Sequence, residues 1–252
     1  MLSYIIIASL LEMLVAFVGI IFVFAGVEKI KKYIYYFISF SVGTFLGVIF
    51  FDLLPEAMEL TPNGKGPVWI LAGFIAFYLL GRFLFWFHHH EDEHCDHDHT
   101  NAKSTGSMIL TADFVHNFVD GIVIAAAFLA DTHLGIVTTV AVLLHEFPQE
   151  MSDFFVLIRS GMSKTRALLL NFLSSVSTLV GALVGYFAFS SVEGIVGPLL
   201  GIAAGNFLYI AASDLLPELH RKENTGKKVV QVAILFLGIA IIFVVSSLVS
   251  EH

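Results

Sequence analysis

Asp52-Leu53-Leu54-Pro55-Glu56 recurs letter for letter as Asp214-Leu215-Leu216-Pro217-Glu218, and each copy closes a long apolar stretch. A membrane-spanning helix needs roughly 20 apolar residues. The chain holds eight such runs, at 2–27, 33–58, 68–87, 107–130, 134–158, 167–189, 195–219 and 229–249. The first copy ends the second run and the second copy ends the seventh. When successive runs cross a bilayer in alternate directions, the second and seventh point opposite ways, so the repeat is inverted. Inverted repeats of this kind build many transporters around a site at the bilayer midplane. The repeat therefore predicts an all-α membrane protein of eight transmembrane helices in a 3+2+3 inverted-repeat arrangement, with the fourth and fifth helices as the central pair. The competing reading is a membrane-exit motif that arose twice, its proline loosening the helix and its acids meeting water.

Composition agrees with a membrane chain. Of 252 residues, 57% are hydrophobic, and the mean hydropathy is +0.86. A soluble domain of this size cannot hide so much apolar side chain, so the lipid bilayer is an expected partner. Connections are short apart from the one between the third and fourth runs. Residues 1–252 are thus expected to form a single transmembrane transporter domain. The N-terminal run lacks a basic leader and a small-residue cleavage site and reads as a retained helix. A lone cysteine, Cys95, excludes an internal disulfide.

Loops after odd-numbered runs hold Lys29, Lys31, Lys32, Arg82, Lys103, Arg159, Lys164, Arg166, Arg221, Lys222, Lys227 and Lys228, whereas those after even-numbered runs hold Lys65 alone. The positive-inside rule then puts the odd loops in the cytosol and both termini outside. A multi-pass position in the cell membrane, inner or plasma, is expected. The formal charge of −8 agrees with a cationic cargo, and no nucleic-acid partner is expected. Gly73 and Gly81 in the third run are small residues of the kind that line helix interfaces, and a homodimer is a candidate assembly.

The connection at 88–106 contains His88, His89, His90, His94, His97 and His99 around Cys95, mixed with acids. Imidazole, thiolate and carboxylate together make a chelating tract. Without helical or strand periodicity it is expected to be disordered when free and to bind metal loosely, as a buffer or sensor on the cytosolic side. An expression tag has similar histidines, but the acids and the internal position argue against one.

The fourth run carries Asp113, His116, Asn117 and Asp120, and the fifth carries His145, Glu146, Gln149, Glu150 and Asp153. Each ionisable group in hydrocarbon costs several kcal/mol unless paired or hydrated. At 100° per residue, Asp113, His116 and Asp120 share one stripe with Asn117 beside it, and the polar residues of the fifth run fall within an arc of about 140°. Asp131-Thr132-His133 joins the two runs, so they are antiparallel neighbours whose polar faces can meet. Imidazole with carboxylate and amide oxygen suits zinc, iron(II) or manganese. A polar network holding the helices together, or a proton relay, is the alternative. Pro148 removes a backbone donor in mid-helix and frees the carbonyl of Leu144, which at membrane depth needs protein, water or an ion.

His116-Asn117-Phe118-Val119-Asp120-Gly121 and His145-Glu146-Phe147-Pro148-Gln149-Glu150 closely resemble the HNxxDG and HExPxE motifs of the ZIP family of metal-ion transporters. The stretches around the two DLLPE copies and the histidine-rich loop resemble that family's histidine-rich branch. The resemblance spans nearly all of 40–219. It implies the 3+2+3 arrangement, inward flux of metal, and movement of helices 1, 4, 5 and 6 against helices 2, 3, 7 and 8. By position it implies one site from His116, His145, Gln149 and Glu150, and an adjoining site from Asn117, Asp120 and Glu146. Gln149 stands where many relatives have a histidine or glutamate, and the sixth run, which offers Asn171, Ser174, Ser175, Ser177 and Thr178, has no carboxylate where some relatives place one. One tight site with a weaker neighbour is therefore expected.

These readings lead to a transporter that moves a divalent transition metal into the cytosol by alternating access. Zn2+ is the first candidate substrate, with Fe2+, Mn2+ and Cd2+ behind it, and no catalytic cofactor is expected. Asp52 and Glu56 would line an outward vestibule, and Asp113, Glu150 and Asp153 would relay the ion inward. Glu12 in the first run is either a coupling or a packing carboxylate. The leading alternative is an intramembrane zinc metalloenzyme such as a protease. Its HExxH motif needs a second histidine one helical turn on, and Gln149 occupies that position. The chain is therefore not expected to be an enzyme.

Overall fold

The computed structural model describes residues 1–20, 27–89, 98–192, 194–219 and 225–249, and every regular element within them is helical. The long helices are α1 (Leu2–Val15), α2 (Val27–Val48), α3 (Gly66–His89), α4 (Asp98–Ala130), α5 (Thr132–Arg159), α6 (Lys164–Phe189), α7 (Val196–Tyr209) and α8 (Thr225–Val249). Where the two DLLPE copies lie, α2 and α7 do not simply end. α2 passes through a π-helical turn, Ile49–Leu53, into the short helix Leu54–Leu60, and α7 passes through another, Ile210–Leu215, into Leu216–Leu219.

Five stretches among the described residues are long and apolar enough to cross a membrane: Tyr35–Leu60, Ile109–Ala130, Lys164–Phe189, Val196–Ser213 and Lys228–Ser247. Leu2–Val18 and Gly66–Arg82 are apolar but shorter. α5 has the length, but its two histidines, two glutamates, glutamine and aspartate dilute its apolar character. Large apolar side chains such as Val68, Phe187, Val229 and Phe236 stand outward, each more than 60% exposed. That is the surface of a protein solvated by lipid, not water.

Glycines bring three helix pairs into backbone contact. A Cβ at Gly121 or Gly181 would run into the Thr178 and Phe118 carbonyls, so α4 and α6 touch. At Gly43 it would strike the Leu235 carbonyl of α8, and at Gly205 the Ile70 carbonyl of α3. The register is parallel in all three pairs: Gly43 and Gly47 of α2 lie against Leu235 and Ile242 of α8, and Gly201 and Gly205 of α7 against Trp69 and Phe74 of α3. Small residues at such crossings give the close van der Waals packing that holds helices together in lipid.

Gly73 packs on Ile202 and Gly81 faces the Tyr209 hydroxyl, so both glycines line helix contacts within the chain. One expectation needs correction. The histidine-rich connection was expected to lack structure over 88–106. His88 and His89 instead close α3, and residues 98–106, His99 among them, open α4. A formed helix extends cheaply, since each added residue contributes a hydrogen bond, and apolar periodicity marks only its membrane-embedded part. His90, His94, Cys95 and His97 lie outside the described residues, as do the side chains of His88, His89 and His99.

Candidate metal centre

α4 and α5 are joined by a single extended residue, Asp131 (φ −157°, ψ 148°). Its Oδ1 accepts from His133 N at 2.8 Å and Leu134 N at 3.2 Å, capping α5 so that it runs straight back along α4. The polar faces meet at mid-length. His116 Nε2 lies 3.1 Å from Glu146 Oε1 and 3.5 Å from Asp120 Oδ2, and His145 Nε2 lies 3.1 Å from each of the same two oxygens. The two Nε2 atoms are 3.0 Å apart. The His116 side chain is 15% exposed and the other three are buried.

Two imidazole nitrogens and two carboxylate oxygens thus converge on one point. Zinc bonds of ~2.0–2.1 Å in a tetrahedron separate neighbouring ligand atoms by roughly 3.3 Å, close to the spacings here. His145 Nδ1 faces Ala141 O at 3.4 Å. A proton held there leaves the Nε2 lone pair directed at the centre, as a metal ligand requires.

A second acidic group adjoins the first. Asp113, Glu146 and Glu150 each bring an oxygen within 4.8 Å of the others, and Glu146 is common to both groups. Asn117 donates its amide to Asp113 Oδ1 at 2.8 Å and to Asp113 O at 3.0 Å, while Thr178 of α6 donates to Asn117 Oδ1 at 3.2 Å. Asn171, also on α6, donates to Glu150 Oε2. Ser174 and Ser177 bond the Leu110 and Phe114 carbonyls of α4. The polar stripe of α6 therefore positions α4 and α5.

The geometry groups these residues differently from motif position. Asp120 and Glu146 join the two histidines, whereas Glu150 sits with Asp113. Gln149 stands beside the centre, lining a cavity of about 400 Å³ together with Asp113, His116, Asp153, Tyr209, Ile210 and Leu215. Asp52 is elsewhere: it accepts from Ser246 Oγ at 2.7 Å and lies near His133, at the start of α5. Glu56 lies near Asp131 at that same end.

Glu12 of α1 is 1% exposed, with the Thr178 hydroxyl of α6 beside its carboxylate. It faces Glu146, Asp120 and Asp113. No lysine or arginine is among the buried residues described. Buried carboxylates without basic partners are costly and attract a cation to the space between them.

Pro148 has a direct structural answer. The Leu144 carbonyl that it frees accepts from Ser41 Oγ of α2 at 2.7 Å, a hydroxyl that Phe37 O shares at 3.0 Å. Ser41→Ala is expected to cost about 1–3 kcal/mol of stability, the price of an orphaned buried carbonyl. In a Pro148→Ala chain the same change is expected to cost less, because the restored N–H takes over the carbonyl. Thermal unfolding of the four proteins in detergent measures the coupling.

Sequence reasoning did not single out Ser41, Phe45 or Phe207, and gave the α6 amide and hydroxyls no role. The stripe at 171, 174, 175 and 178 was a signal for the last of these, since its helical spacing matches one buried face.

A profile of the ZIP zinc transporter family matches residues 88–246. The chain is 30% identical over 261 residues to zinc transporter ZIP13 of Mus musculus, covering 88% of this chain and 71% of that protein. It is 38% identical over 156 residues to zinc transporter SLC39A7 of Rattus norvegicus, covering 59% and 33% respectively. It is 34% identical over 154 residues to zinc transporter zipt-7.2 of Caenorhabditis elegans, again covering 59% and 33%. With its paired helical motifs converging on one buried centre, the chain belongs to the ZIP zinc transporter family, whose members are transporters and not enzymes.

Proposed function

We propose that this protein carries Zn2+ into the cytosol by alternating access, binding it between His116, Asp120, His145 and Glu146. The observation that carries the reading is the convergence of two imidazole nitrogens and two carboxylate oxygens, each approach between 3.0 and 3.5 Å, in an interior whose described buried residues include no basic chain. Asn117 and Glu150 order the neighbouring acidic group. Asp113, Gln149 and Asp153 line the way out through the cavity, and Asp52 and Glu56 belong to the entrance. The histidine-rich segment at 88–106 receives the ion as a cytosolic buffer, as in a histidine-rich branch of the family. Imidazole with carboxylate also accepts Fe2+, Mn2+ and Cd2+, which are the competing substrates.

The unit is one membrane domain of eight crossings, 3+2+3, with both termini outside. Contact registers support this. α2 with α8, α3 with α7 and α4 with α6 run parallel, and Phe37 and Ser41 of α2 lie against Phe147 and Leu144 of α5 while Asp52, farther on, lies near His133, an antiparallel register. The glycine closures pair α2 with α8, α3 with α7, and α4 with α6. This supports two packed bodies that shift against each other, α1 and α5 moving with α4 and α6.

The test is radiolabelled zinc uptake into proteoliposomes, with iron(II), manganese and cadmium as competitors. Saturable uptake from the face bearing Asp52 is expected, and tight binding without flux would sink the proposal. Imidazole must be neutral to bind, so zinc and protons compete for the same two nitrogens. Uptake is therefore expected to decline as external pH falls from 7.5 to 5.5, with protons released when zinc binds; a flat pH profile would contradict histidine ligation.

A further inference from the structure

Among the described residues the cavity meets the metal centre at His116 and runs past Gln149 and Asp153, and two aromatic rings pack against His145. Phe45 of α2 lies with its ring centroid 4.3 Å from that of His145 and 4.6 Å from that of Phe207 on α7, and the Phe207 ring is 6.1 Å from His145. Both phenylalanines are fully buried. Neither lines the cavity, although Tyr209, two residues beyond Phe207, does.

Direction along the chain tells which side is closed. The start of α5, near Asp52 and Glu56, marks one end; His145 lies under Phe45, and Gln149 and Asp153, a turn and two turns farther, line the cavity. The rings therefore stand between His145 and the Asp52 end. Asp52, in the π turn that follows α2, comes seven positions after Phe45, roughly 10 Å of helix.

The two rings are related positions. Phe207 follows Phe45 by the same interval at which Asp214 follows Asp52, and Gly205-Asn206-Phe207-Leu208 answers Gly43-Thr44-Phe45-Leu46. In that correspondence Ile210 and Leu215, which line the open cavity, match Val48 and Leu53, which are fully buried. One repeat is open where its counterpart is packed shut.

We propose that Phe45 and Phe207 together form the barrier that separates the metal centre from the Asp52 side, and that Val48 and Leu53 are the hidden wall of a matching cavity on that side. The inference rests on the alternating-access reading given above. Apolar rings suit the task because a hydrated divalent cation cannot pass them without losing water to groups that offer no replacement ligand. The Phe45 ring also packs on the face of the His145 imidazole, so the same side chain that closes the route orients a ligand.

The experiment uses the full chain with Cys95→Ser, so that any reactive thiol is an introduced one. In proteoliposomes, Phe45→Ala/Phe207→Ala is expected to raise zinc leak at least tenfold and to lose saturation, while Phe45→Leu/Phe207→Leu stays saturable. In detergent, a Val48→Cys reporter is expected to react with a charged thiol reagent at least tenfold faster once both rings are removed, whereas Ile210→Cys reacts quickly in either background. Phe17→Ala/Phe172→Ala removes an aromatic stack elsewhere, with centroids 4.8 Å apart, and is expected to do neither. Should the paired change prevent reconstitution, Phe45→Ala and Phe207→Ala singly give the same readings at smaller size. Saturable uptake with unchanged leak and unchanged Val48→Cys labelling overturns the barrier, as does equal leak from the Phe17/Phe172 control. Absence of saturable zinc uptake by the parent chain refutes the transport reading itself, and the two failures are distinct.

Discussion

Zinc uptake by a His116→Ala/His145→Ala chain is expected to fall to the level of empty liposomes. The two Nε2 atoms are half of the four side-chain atoms that converge at the proposed zinc site. Losing even an outer hydrogen-bond partner of a metal ligand costs roughly 10–100-fold in affinity, and two direct ligands cost more. What remains is Asp120 and Glu146, two carboxylates pressed together without imidazole between them. Gln149→Ala should be far milder, a few-fold in uptake, because Gln149 lines the cavity next to the centre and is not one of the four. Parallel titration with zinc distinguishes lost binding from lost movement. Wild-type affinity in the double variant would remove the site from these helices.

Gly181→Leu is expected to prevent folding altogether. A Cβ there meets the Phe118 carbonyl and backbone of α4, and Gly121 meets the Thr178 carbonyl of α6 in return. Overpacking a core with flexible neighbours costs about 1–3 kcal/mol; here the obstruction is backbone on both sides, so separation of the helices is the only relief. That separation would also break Ser177 to Phe114 O and Thr178 to Asn117, and with them the positioning of the acidic group. Val184→Leu on the same helix, at a side chain 44% exposed toward lipid, is expected to change stability by less than about 0.5 kcal/mol. Monodispersity and thermal unfolding in detergent compare the two, and a well-folded Gly181→Leu protein would show that α4 and α6 have freedom the close contact denies.

Much of this was legible in the residues. His116, Asp120, His145 and Glu146 could be placed on facing stripes because helical periodicity is fixed and the connection through Asp131 leaves no choice of neighbour. Pro148 announced a free carbonyl. What periodicity cannot give is azimuth and depth: whether Glu146 or Glu150 turns toward the histidines depends on how α5 is rotated against α4, which is set by contacts with α6 that no local pattern encodes. Ser41 was invisible for a related reason, since a serine in an apolar helix has many uses and only the α2–α5 contact selects one. The phenylalanines were hidden by abundance: among 25 in the chain, nothing local marks Phe45 and Phe207 except their shared distance from the two DLLPE copies.

The π-helical turns at Ile49–Leu53 and Ile210–Leu215 give those copies a mechanical meaning. A π turn holds about one residue more than the α-helix around it, so each of these helices carries a spare link just before its proline. Taking up that link would turn the outer segment by about 100° and draw it along the axis by ~1.5 Å, while the rest of the rod kept its hydrogen bonds. Asp52 sits inside one such turn and Asp214 inside the other. The slack in these two helices is thus stored at the repeated motif, next to its proline, and the packed middle of the bundle does not have to yield for it to be taken up.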